Sequence, residues 1–120
     1  LPVFDRGAPA ARRAAAEVGA YRAEYELRFT RTTAELRGAW QQAVALREVA
    51  LDFRRGSLRG SRELSSIAEK AYAAGEASIL ELLDAWRTEL DAALTSLELD
   101  HRARLARIEL DQLAGVSLHD

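Results

Sequence analysis

The side chains able to do chemistry in this chain are few in kind. Its 120 residues include no cysteine and two histidines, His101 and His119. Without cysteine there is no disulfide framework, no thiolate metal site and no cysteine nucleophile. Neither histidine has a triad or metal partner at helical spacing, and both read as structural or surface groups. Carboxylates are abundant, but most belong to charge-rich helical faces. Ser78 with Glu81 three residues on is a capping box, which satisfies two backbone donors at the start of a helix, and Asp84 follows as an exposed acid. No glycine-rich phosphate loop, zinc-ligand spacing or HExxH pattern occurs. Trp40 and Trp86 read as packing anchors. These residues point to a protein that is not an enzyme and needs no metal or cofactor.

The elements that hold these groups follow from composition. Alanine fills 24 positions and leucine 18, against two prolines and few aromatic or β-branched residues. That bias disfavours strands and predicts an all-α chain of long helices. No apolar run approaches the roughly 18 to 20 residues of a membrane-spanning helix. Methionine is absent, even from position 1, and the chain reads as a piece of a longer protein. The net charge of −2 hides a split: residues 1–62 carry 12 Arg against 7 acids, residues 63–120 carry 5 bases against 12 acids. A +5 half and a −7 half suit two arms that pack together, and the overall balance argues against nucleic acid and anionic membrane surfaces. Pairs at four-residue spacing (Arg13–Glu17, Glu24–Arg28, Arg31–Glu35, Arg59–Glu63, Glu98–Arg102, Asp100–Arg104) predict salt-bridge lacing of solvated faces.

Along the chain, residues 1–8 read as an extended lead-in, because Pro2 and Gly7 exclude helix, and Pro9 suits a first helical turn. The spacing then predicts a helix over 9–74. Val18, Tyr25, Phe29, Thr32, Leu36, Ala39, Ala43, Leu46, Ala50 and Phe53 follow steps of four and three, with one miss at Arg22. Ser57, Gly60, Leu64, Ile67, Ala71 and Ala74 continue the register as a coiled-coil seam with many small residues. Gly56 and Gly60 mark a potential break over 56–61. Gly75 fits a helix C-cap, residues 75–78 form a turn, and a second helix runs over 79–114, closed by Gly115 ahead of a tail over 115–120. That helix is expected to bury Ile79, Leu82, Leu83, Trp86, Leu90, Leu94, Leu97, Leu105 and Ile108. A first arm of about 60 residues spans roughly 90 Å as one helix, whereas a 120-residue domain has a radius of gyration near ~14 Å. The chain is therefore either a bundle broken at Gly56–Gly60 or a long antiparallel helical hairpin whose seam needs partners.

The run Ala71-Tyr72-Ala73-Ala74-Gly75-Glu76-Ala77-Ser78-Ile79-Leu80-Glu81-Leu82-Leu83-Asp84-Ala85 resembles the periplasmic tip of the outer membrane efflux proteins, the TolC family. The family pattern is a tyrosine, two residues, a glycine, a short polar turn, and a hydrophobic run ending in Leu-Asp-Ala. Leu1-Pro2-Val3-Phe4-Asp5-Arg6-Gly7 resembles the handover from the family's second β-hairpin to its descending helix, nearest to the heavy-metal cation efflux branch. Leu110 to Gly115 resembles the close of the ascending helix.

The resemblance implies one periplasmic helical hairpin of a trimeric conduit, in which a β-barrel in the outer membrane continues into an α-helical barrel. Such a channel exports small toxic compounds or metal ions with a periplasmic adaptor and, through it, an inner-membrane pump. Tyr72, Gly75, Glu76, Ala77 and Ser78 would form the tip on which the adaptor docks. Glu81 and Asp84 fall where acidic side chains ring the closed aperture, so three copies would set six carboxylates around a pore that favours cations. The family's namesake carries an arginine two residues past the tip glycine that latches the aperture; Ala77 stands there in this chain and removes that latch. Two other readings compete: a free-standing coiled-coil interaction module, and the hairpin of the adaptor itself, which the lack of flanking strand patterns disfavours.

Overall fold

Alanine, leucine, arginine and glutamate are strong helix formers, and where they dominate the sequence the backbone is helical. The computed structural model describes residues 8–115, and these contain helices and no strand. Helix α1 spans Ala8–Phe53; a single π-helical turn, Arg54–Leu58, joins it to α2, Arg59–Ala73; α3 spans Ile79–Leu113. Residues 1–7 of the expected lead-in and 116–120 of the tail lie outside the described residues, and Ala8 is already helical. No helix among the described residues is long and apolar enough to cross a membrane.

The chain divides into two units at Arg37/Gly38. In the first, residues 9–35 of α1 are all exposed, including Val18, Tyr21, Tyr25, Leu27 and Phe29. This stretch is held by its own side chains. Arg22–Glu26, Glu24–Arg28 and Arg31–Glu35 close at 3.2, 2.6 and 2.8 Å, and the Tyr25 and Phe29 rings stack at 6.3 Å. The expected Arg13–Glu17 pair does not form.

The second unit is a helical hairpin. Arg62 pairs with Glu89, the Trp86 indole donates to Glu69, and Arg54 pairs with Asp100, so position falls on α3 as it rises on the first arm. The two arms are therefore antiparallel, with the turn at residues 74–78 between α2 and α3. The seam between them is made of small residues. Ala43, Ala50, Leu58, Ser61 and Ser65 are buried on the first arm, and Leu82, Ser96 and Ala106 on α3. Half-buried Ala39, Leu46, Phe53 and Ala68 complete one stripe, and Ala85, Glu89, Ala92, Leu99, Ala103 and Leu110 the other.

Two expectations are corrected here. The seam does not continue through Ser57, Leu64 and Ile67: after Phe53 it steps five residues to Leu58 and resumes at Ser61, Ser65 and Ala68. The π turn is the cause, because it takes one more residue than an α-turn and rotates everything beyond it by about 100°. Leu64 and Ile67 are consequently about 60% exposed. The Gly56–Gly60 stretch is neither a break nor a cap; the chain stays helical through it.

The second correction concerns α3. Of the nine large residues expected in its buried face, only Leu82 is buried, and the rest are 39 to 66% exposed. Apart from Leu58 and Leu82, the buried seam positions are serine and alanine, and the other large side chains of α3 lie off that stripe. Trp40 and Trp86 are likewise half or nearly half exposed and are not core anchors.

Candidate functional site at the hairpin tip

The tip is built by two local motifs back to back. Gly75 adopts φ +77°, the left-handed conformation that a Cβ disfavours. The Glu76 amide donates to the Ala71 carbonyl at 2.8 Å and the Gly75 amide to Tyr72 at 3.0 Å, which is a Schellman close of α2. The Ala77 amide also reaches the Ala71 carbonyl, at 3.3 Å. Ser78 then turns extended and caps α3: its hydroxyl accepts from the Glu81 amide at 3.3 Å, while its own amide donates to Glu81 Oε2 at 2.6 Å. That donation holds the Glu81 carboxyl below the ordinary carboxylate range, with the serine hydroxyl contact adding to the effect.

Tyr72, Gly75, Glu76, Ser78, Glu81 and Asp84 are all exposed, and Ala77 is half-buried. Glu81 and Asp84 share one face of the hairpin with Leu64 and Ile67, around a shallow hollow of about 350 Å³ that also touches Ala68, Ala85 and Thr88. Glu81 is thus both a capping residue and a solvent-facing acid, and Asp84 is an acid one turn along the same side. Among the described residues no group of three carboxylates or imidazoles is placed to hold a metal ion.

Leu80 is missing from the sequence-based site. It is the most exposed large apolar residue among the described residues, at 73%, and with Ile79, Leu83 and Tyr72 it gives the tip an apolar rim. Its place two residues after the capping serine, outside the 82–85–89 stripe, is the signal that marks it as outward-facing. At the far end of the hairpin a groove of about 520 Å³ opens between the arms, with Trp40, Val44, Leu51 and Leu110 among its apolar walls and Arg47 and Arg104 on its rim.

Comparison of the chain with models of known protein families, with curated proteins and with solved structures finds no match. The reading of the tip rests on its residues and their geometry.

Proposed function

We propose that this chain is the periplasmic helical segment of an outer membrane efflux channel that exports small toxic compounds or metal ions. On this reading the intact protein is a homotrimer, its membrane contact is made by a β-barrel outside these residues, and three hairpins contribute to a helical barrel. A periplasmic adaptor docks on Tyr72, Gly75, Glu76, Ala77 and Ser78 and couples the channel to an inner-membrane pump. Glu81 and Asp84 face the aperture and favour cations there.

The observation that carries the reading is the division of labour on α3. The hairpin closes on itself mainly through alanine and serine, with Leu58 and Leu82, while Ile79, Leu83, Trp86, Leu90, Leu94 and Leu97 stay at the surface. A hairpin built for solitary life buries its leucines; one built into a wall keeps them for its neighbours. The resemblance at the tip adds the adaptor and the compartment.

The test uses the whole protein to which the segment belongs. Cells producing it are fractionated and the detergent-solubilised protein is sedimented. The expected result is a trimer in the outer-membrane fraction. A monomer in the soluble fraction removes the proposal.

A further inference from the structure

The end of the π turn and helix α2 carry two stripes, each at steps of three and four. Ser57, Gly60, Leu64, Ile67 and Ala71 lie where an uninterrupted α-helix would carry the seam of α1. Leu58, Ser61, Ser65 and Ala68 are the residues that pack on α3. The stripes differ by one residue, or about 100° of helix rotation, and the π turn at Arg54–Leu58 supplies that residue.

The turn is held by the buried Leu58 side chain and by two polar contacts. The buried Ser61 hydroxyl donates to the Leu58 carbonyl at 2.9 Å, and Arg54 is tied to Asp100 across the hairpin. Gly56 has open space where a Cβ would stand, so no side chain wedges the turn at that position. The observed packing lets the helices approach through serine and alanine and leaves Leu64 and Ile67 in water; seating those two on α3 would bury them and hold the helices further apart.

We propose that the π turn is a one-residue register switch. Its conversion to regular α-helix rotates α2 and brings Leu64 and Ile67 onto α3 in place of Ser61, Ser65 and Ala68. Two discrete packings of one element, separated by a movable bulge, make a bistable device of the kind that interfaces use. The inference does not depend on the efflux reading.

The absence of native cysteine makes the test clean. Two double variants of the full chain are oxidised: Ala68→Cys with Ala85→Cys reports the observed packing, and Ile67→Cys with Ala85→Cys reports the rotated one. Each is also made in a chain lacking Gly56. That deletion turns the π turn into an α-turn while keeping Leu58, Ser61, Ser65 and Ala68 on the seam, and so locks the observed packing. In the full chain both pairs should cross-link, the 68–85 pair about tenfold faster or more. In the deleted chain the 68–85 cross-link should persist and the 67–85 cross-link should slow by at least about tenfold. A 67–85 pair that never forms in the full chain, or that forms equally fast after the deletion, overturns the switch. So does a deleted chain that loses its helical circular dichroism, because the turn is then not a removable insert.

Discussion

The Arg54 guanidinium, at the first position of the π turn, donates to both carboxylate oxygens of Asp100 on α3. Asp100 was spaced for an ion pair with Arg104 on its own helix, yet it turns to the opposite arm. One guanidinium nitrogen bridges the two carboxylate oxygens, and the pair ties the π turn to α3. The Asp100 side chain is about a quarter exposed and that of Arg54 about half, so screening limits the pair's worth. A double-mutant cycle with Arg54→Ala and Asp100→Ala, read by thermal unfolding, should give a coupling of about 0.5 to 1 kcal/mol. The same cycle on Asp100 and Arg104 should give none.

The tip turn should depend on Gly75 through its backbone and not through space. A Cβ there meets no atom within 4 Å, but φ +77° strains any L side chain. Gly75→Ala is expected to destabilise the hairpin by about 1 to 2 kcal/mol, and Ser78→Ala by about 1 kcal/mol through loss of the cap. Denaturant titration followed by circular dichroism measures both. If Gly75→Asn costs clearly less than Gly75→Ala, the left-handed conformation is the cause.

Glu81 gives the tip a pH dependence of definite sign. Its carboxyl is lowered below the ordinary value of 4.5 by the Ser78 amide. The charged form is therefore favoured by folding. Its contribution is full above about pH 4.5 and is lost as pH falls through the lower folded value. Glu81→Gln should be less stable than the parent chain at neutral pH, and the two should converge in acid. Melting curves from pH 7 to pH 3 check this; a gap that widens in acid contradicts it.

The seam and the surface of α3 should answer differently to truncation. Leu82 is 4% exposed, whereas Leu90 is 60% exposed. Leu82→Ala is expected to cost about 2 to 5 kcal/mol, and Leu90→Ala about 0.5 kcal/mol or less in the isolated chain. Ser65→Leu should also destabilise, by about 1 to 3 kcal/mol, because Ser65 is buried against α3 and a larger side chain overpacks the seam. Equal costs for Leu82 and Leu90 would mean that α3 packs in another register.

How much of this is legible in the sequence depends on the range of the interaction. The tip is legible because its motifs are local: a left-handed turn asks for Gly75, and a serine with a glutamate three residues on caps α3. The helices are legible from alanine and leucine. The seam is legible on α1 through Ala39, Ala43, Leu46, Ala50 and Phe53, and then fails at one inserted residue. Nothing in Arg54-Arg55-Gly56-Ser57-Leu58 distinguishes a π turn from a kink, because the extra residue is decided by which faces meet across the hairpin. On α3 hydrophobicity points to the leucines and Trp86, whereas the close approach of the backbones selects Ala85, Ala92, Ser96, Ala103 and Ala106. The lead-in at Leu1–Gly7 lies outside the described residues.

The proposed conduit stands or falls on whether Glu81 and Asp84 line a pore. The direct measurement is single-channel recording of the whole protein in planar bilayers, comparing the parent with Glu81→Gln/Asp84→Asn. The parent should pass small, cation-selective currents that divalent cations block, and the neutralised variant should lose most of that selectivity and block. Currents unchanged in selectivity and block, or no channel at all, would contradict the account.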